Sequence, residues 1–291
     1  MSQARILWST SGAGVRLIII NVIAFVLVFV PISILHLLNR DADGVLILSI
    51  LELSGDPLKL LFKPWTIITH LFVHRGLMHI LFNMLTLFFT YQLFNRYFDD
   101  RRFINVYFVS GFAGAFVFLL SVNLFPLFNV LPINYTAVGA SAAVMGVLIA
   151  ICTYRPDDEV FLFGAFKMKL RWLALLFVLL DLISISNGNE GGHLAHLGGA
   201  LFGFIWAMNL KKGRDLASFF GKIQDLLSFQ KSRKSNLKVA HKRPMKDEDW
   251  NLNSKIRQKR IDEILDKISR SGYDSLSKEE KALLFELSKD K

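Results

Sequence analysis

Four polar residues stand where an apolar chain has little reason to keep them. They are Ser141 in "AVGASAAVMGVLIA" (137–150), His196 in "GGHLAHLGGALFG" (191–203), and His79 with Asn83 in "HRGLMHILFNMLTL" (74–87). A serine hydroxyl is a poor nucleophile until a neighbouring base takes its proton, and an imidazole, with a pKa near 6.5, suits that task. Acyl transfer also needs donors aimed at the oxygen where negative charge develops, each worth about 10²- to 10³-fold in rate. His79 and Asn83 are spaced i, i+4, hence on one helix face. With the Ser141 backbone N–H they are the candidate oxyanion donors. No acidic residue has a spacing that marks it as a third member, so a Ser–His dyad is expected. Alone, Ser141 would need no function, since a hydroxyl in an apolar helix commonly bonds its own backbone. The Gly-x-Ser-x-Gly elbow of soluble hydrolases is absent, position 143 being Ala.

The elements that must position these residues are lipid-embedded helices. Of 291 residues 53% are hydrophobic and 26 are Phe, which is membrane-protein composition. Apolar runs near 16–38, 77–95, 103–122, 137–154, 170–186 and 194–210 predict six spans, and backbone satisfaction in lipid makes them a helical bundle. Arg5 and Arg16, then Arg96, Arg101 and Arg102, then Arg155, Lys167, Lys169 and Arg171 belong on the cytoplasmic side, whereas 121–136 and 186–192 carry no Lys or Arg and face outward. Both termini then lie inside, with the +10 net charge concentrated in the tail. No small-x-small cleavage site follows the first run, which reads as a retained span. Single Cys152 excludes an intramolecular disulfide and is assigned to packing.

This topology brings Ser141, His79, Asn83, His193 and His196 to one leaflet on three different spans. A shared, water-accessible cavity explains that coincidence, because each polar group costs free energy in hydrocarbon unless paired. Small residues decide which faces meet. Gly139/Ala143 and Ala142/Gly146 on the fourth span, and Ala195, Gly199 and Gly203 on the sixth, permit close backbone approach. His196 shares a face with Gly199 and Gly203, so the contact carries the histidine toward Ser141. His193 and Asp181 are assigned to the interface.

The Gly-Ala-Ser before a helix, the His-x-x-x-Asn of the second span and "AHLGGALFG" together resemble the rhomboid family of intramembrane serine proteases over roughly 60–210. The resemblance implies an all-α, six-helix polytopic membrane domain (1–210), in which Ser141 is the nucleophile, His196 the base, and His79 and Asn83 oxyanion partners. It gives His70, His74 and Trp65 structural roles in the first outer loop. It implies an inner-membrane, multi-pass enzyme that needs no cofactor or metal and cleaves single-pass membrane proteins near the outer end of their span. Three positions depart from the family's pattern: Thr66 after Trp65, and Asn95 and Asp99 at the inner end of the second span.

Two other functions compete. A rhomboid-like binding protein that has lost catalysis typically lacks the Ser or the His, and both are here. A metal or haem site on His70/His74 and the other histidines lacks a His-Glu-x-x-His motif and any accompanying Cys or carboxylate. Past 210, Leu216, Phe219, Phe220, Ile223, Leu226 and Leu227 predict an amphipathic interfacial helix (211–230) against anionic lipid. A basic linker (231–260) and a small helical cytoplasmic domain (261–291) follow, the latter with a Ser277-x-x-Glu280 capping box. Nucleic acid is not a partner, because the basic stretch lacks interleaved aromatics. No group past 212 lies on the side of the candidate site.

Overall fold

The computed structural model describes residues 11–129, 135–162, 166–186, 188–227, 247–277 and 279–281. Arg5, residues 130–134 of the outer connection, Asn187, residues 228–246 and the tail beyond 281 lie outside them. Two compact units divide at Gln230 and Lys231.

The first unit runs α1 (Ala13–Leu37), α2 (Asp41–Leu51), β1 (Leu53–Ser54), α3 (Pro57–Phe62) and α4 (Thr66–Thr69). It continues with α5 (Leu77–Phe94), α6 (Asp100–Leu124), β2 (Thr136–Ala137), α7 (Ser141–Tyr154), the β3–β4 hairpin (Glu159–Leu162, Phe166–Lys169), α8 (Leu170–Ser184), α9 (Glu190–Leu210) and α10 (Ser218–Leu227). Every expected apolar run contains a helix. Among the described residues α1, α5 and α6 are long and apolar enough to cross a membrane, and α7 is a shorter apolar helix. The sequence reading had no place for strands; two short antiparallel pairs occur, β1–β2 with Leu53 opposite Ala137, and β3–β4 with Glu159 opposite Lys169.

α7 is the axis of the bundle. Each residue from Ala142 to Cys152 is buried, as expected of a helix that is apolar all round. α9 and α6 pack on it where side chains vanish. A Cβ on Gly199 would lie 2.1 Å from the Ala142 carbonyl oxygen, one on Gly203 2.0 Å from that of Gly146, and one on Gly114 2.6 Å from the Ala142 methyl. Outside this core α1 exposes Val22, Ile23, Val26, Leu27 and Val30, and α8 exposes Leu175, Leu179, Leu182 and Ile183, an apolar surface far larger than a soluble monomer presents.

The segment between the first two expected spans, the first outer loop, holds α2 to α4. Its anchors satisfy the terminal carbonyls of α2, which no intrahelical donor reaches: Lys63 Nζ donates to Ser49 O at 3.0 Å, Trp65 Nε1 to Ile50 O at 2.8 Å and Thr69 Oγ1 to Leu51 O at 2.7 Å. Buried Glu52 accepts both Arg75 Nε (3.0 Å) and Nη2 (2.7 Å), and Thr136 Oγ1 donates to it at 2.9 Å. Two of the three departures from the family pattern find roles in the structure. Thr66 is buried with its hydroxyl on Lys63 O at 2.8 Å, and Asp99 caps α6 by accepting from Arg102 N at 2.8 Å.

At the other end of the bundle α10 is pinned to it. Asp215 accepts from Arg102 Nε (2.9 Å) and Trp206 Nε1 (2.8 Å), and Phe220 stacks on Phe108 at 5.4 Å between centroids. Phe219 and Ile223 stay exposed; the Leu226 and Leu227 side chains lie outside the described residues. The bundle therefore extends past 210, where the composition changes. In the second unit α11 (Asp247–Ser271) begins inside the stretch expected to be linker. Gly272 (φ +77°) ends it, and Ser277 N donates to Glu280 Oε2 at 2.7 Å while Glu280 N donates to Ser277 Oγ at 3.2 Å. Helix follows the box at 279–281, with Lys281 N donating to Ser277 O at 3.0 Å, and the rest of the helix expected there lies outside the described residues.

Candidate functional site

The chain reaches α7 through a turn at Gly139, whose φ of +107° lies in the left-handed region. A Cβ there would also lie 2.8 Å from His79 Nε2. Gly139 N donates to His70 O at 2.8 Å, and the Ala140 N–H faces His74 Nε2 at 3.5 Å. Ser141 follows as the first residue of α7. Gly139 is thus no helix-packing residue, as its pairing with Ala143 suggested, because the helix starts two residues after it; it is the hinge that delivers Ser141. Gly199 and Gly203 are the packing residues.

His70 and His74 hold that turn. His70 Nδ1 donates to Thr66 O at 2.8 Å. Burial pushes both histidines down to a pKa of about 4, so they are neutral at ordinary pH. Neither converges with the other into a ligand pair.

α9 brings His196 to Ser141. Asn189 (φ +61°) turns the chain into the helix, and the Gly199–Ala142 contact sets how closely the helices lie one turn further on. Ser141 Oγ is 2.7 Å from His196 Nε2. The other ring nitrogen, Nδ1, is 2.8 Å from Asp181 Oδ1, and His193 Nδ1 is 2.8 Å from that same oxygen. One sequence expectation is corrected here: an acidic residue does accompany the imidazoles, and Asp181 and His193, assigned to the interface, meet at His196. Asp181, buried on a helix whose other buried residues are Leu170 and Leu173, was legible as an intramembrane carboxylate in need of a partner. Which partner depends on how α8 is rotated, and its sequence is apolar nearly all round.

His79 and Asn83 reach the same place. Both line a cavity of about 390 Å³ with Ser141, His196, Gly139 and Arg75. Asn83 Nδ2 donates to His79 O at 2.9 Å, which leaves its second amide hydrogen for another acceptor. A second cavity of about 300 Å³ opens from Ser141 and His196 between α5 and α8, past Phe82, Met145 and Phe177. Ser141, Asn83 and His196 border both spaces. The arrangement suits acyl transfer: an acceptor nitrogen on a hydroxyl, and uncommitted N–H groups at the start of α7 beside an amide. As possible metal ligands among the described residues, Asp181, His193 and His196 have donor atoms within 4.8 Å of one another; as they stand, both imidazoles donate to the carboxylate.

Comparison with known proteins agrees with this architecture. The rhomboid domain family matches residues 62–212, and a family of unknown function (DUF6576) matches 245–290. Rhomboid protease GluP of Bacillus subtilis (strain 168) is 26% identical over 162 residues, 54% of this chain and 28% of the relative. RHOMBOID-like protein 1 of Arabidopsis thaliana is 31% identical over 143 residues, 49% of this chain and 33% of the relative. The chain thus spans about a third or less of these two relatives. Since the rhomboid match covers more than half of its own length and every residue brought together above, the chain belongs to the rhomboid family of polytopic helical membrane proteins.

Proposed function

We propose that this chain is an intramembrane serine endopeptidase that cleaves the transmembrane segments of single-pass membrane proteins near the outer membrane face. The observation that carries the reading is the 2.7 Å contact of Ser141 Oγ with His196 Nε2 where two cavities meet inside an apolar bundle. His196 takes the hydroxyl proton as Oγ attacks the scissile carbonyl carbon. The Ser141 backbone N–H, Asn83 and His79 receive the oxyanion. His196 then gives its proton to the leaving nitrogen, the C–N bond breaks, and the acyl group remains on Oγ. Water enters through the polar cavity at Arg75 and Asn189, its oxygen bonds the acyl carbon as His196 takes its proton, and the C–Oγ bond then breaks, with His196 returning that proton to Oγ and the new carboxyl group leaving. The opening between α5 and α8 is apolar and suits a substrate helix arriving from lipid.

Depth fits this chemistry. α7 has 14 residues, hence about 21 Å at 1.5 Å per residue, some 9 Å short of a ~30 Å hydrocarbon core. With its inner end at the cytoplasmic boundary, Ser141 lies recessed below the outer face yet open to water. We read the remaining helices as completing six spans with both termini cytoplasmic, the basic connections lying inside, and the cell membrane as the site of action.

The test uses full-length protein in liposomes with a single-pass substrate. Ser141→Ala and His196→Ala should each abolish cleavage while leaving the protein folded, and a serine-directed fluorophosphonate should label the wild type at Ser141. Undiminished cleavage by Ser141→Ala would refute the reading. A wild type that binds the substrate, never cuts it and never takes label would make the chain a binding protein.

A further inference from the structure

We propose that Asp181 is a positioning residue for His196, holding the base of the Ser141–His196 pair in the tautomer and orientation that proton transfer needs; this rests on the proteolytic reading above. The imidazole bridges the other two groups: Asp181 Oδ1 lies 2.8 Å from His196 Nδ1, and Ser141 Oγ 2.7 Å from His196 Nε2. A carboxylate accepts only, so the imidazole bonded to it carries its hydrogen on Nδ1. Its Nε2 lone pair is thereby turned to the serine, the one tautomer that can take the hydroxyl proton.

Asp181 is itself held. It is buried on a helix whose residues from Trp172 to Leu180 are all apolar, and a carboxylate there is costly unless paired. His193 supplies the second donor to the same oxygen at 2.8 Å, and its ring meets that of His196 edge-on at 5.7 Å between centroids. The place of His193 one turn before His196 lets α9 deliver both the base and the clamp that keeps the carboxylate aimed at it. The charged and titratable groups facing His196 are Asp181 from α8, His193 from its own helix and His79 from α5, with Arg75 beyond His79.

Asp181→Asn removes the charge and offers a donor where an acceptor is needed, which allows the imidazole to settle in the wrong tautomer. In full-length protein in liposomes kcat should fall by about 10²- to 10⁴-fold with KM little changed. Asp181→Glu keeps a carboxylate acceptor for Nδ1 and should restore most of the loss, lowering kcat only about tenfold through its displacement. Thermal unfolding checks folding, and Ser141→Ala and His196→Ala run alongside. A folded Asp181→Asn protein that keeps kcat within threefold, or an Asp181→Glu protein that loses as much activity as Asp181→Asn, overturns the assignment while the inactive Ser141 and His196 variants leave the proteolytic reading standing. If Asp181→Asn does not fold, wild-type kcat in Asp181→Glu overturns it. Cleavage by Ser141→Ala removes the reading itself and this inference with it.

Discussion

Gly199→Ala tests whether the approach of α9 to α7 is what places the base on the nucleophile. The added methyl carbon would lie 2.1 Å from the Ala142 carbonyl oxygen, against about 3.3 Å for the closest comfortable carbon–oxygen contact. The deficit is about 1.2 Å, and the obstacle is helix backbone, which has no rotamer with which to yield. α9 must retreat by that amount. His196 lies one turn along the same face, so its 2.7 Å contact with Ser141 Oγ opens to about 3.9 Å, beyond any hydrogen bond. A misplacement near 1 Å costs on the order of 10²-fold in rate, or about 2.7 kcal/mol of barrier, while overpacking costs about 1–3 kcal/mol of stability. The assay is kcat/KM for a single-pass substrate in liposomes, with fluorophosphonate labelling rates and thermal unfolding in parallel. Leu201→Ala, on the exposed side of the same helix, serves as control and should cleave within about threefold of wild type. Gly199→Ala with wild-type labelling and cleavage would refute the claim that this glycine sets the Ser141–His196 distance.

Three further outcomes follow from the same geometry. Asn83→Ala should lower turnover about 10²- to 10³-fold while Ser141 is still labelled, only more slowly; an unchanged rate would reduce Asn83 to the helix bond it makes with His79 O. His70 and His74 have folded pKa values pushed down to about 4 from 6.5, so the unfolded chain binds more protons between those values. Stability should therefore be full above about pH 6.5 and fall as pH drops toward 4, a loss that thermal unfolding should show reduced in His70→Gln; an identical pH slope in that variant would contradict the assignment. A chain ending at 230 should cleave within a few-fold of full length. One ending at 212 loses Asp215 and Phe220, with their contacts to Arg102, Trp206 and Phe108, and should unfold several degrees lower; equal melting temperatures would show that α10 does not brace the bundle.

Much of the site is written locally. Ser141, His196, and the His79/Asn83 pair stand out because polar groups in apolar runs are costly, and i, i+4 spacing puts partners on one face whatever the rest of the chain does. The Gly199 and Gly203 stripe is legible for the same reason, since helical periodicity needs only near neighbours. Asp99 as a cap and the Ser277–Glu280 box are likewise set within one turn. What the sequence left open is whatever depends on the rotation of one helix against another. Asp181 lies on a helix apolar nearly all round, so nothing in its own segment says which way it faces; packing of α8 against α7 and α9 aims it at His196 and His193. Gly139 reads as half of a small-residue pair until the backbone turns to φ +107° beside His79 and starts the helix two residues later. The reach of the bundle past 210 was hidden too. The composition changes there, yet Asp215 and Phe220 find partners on α6 and α9 that only the folded chain brings near. Local spacing decides which groups can do chemistry, and the closeness of three helices, permitted where glycine removes the side chain, decides which of them meet.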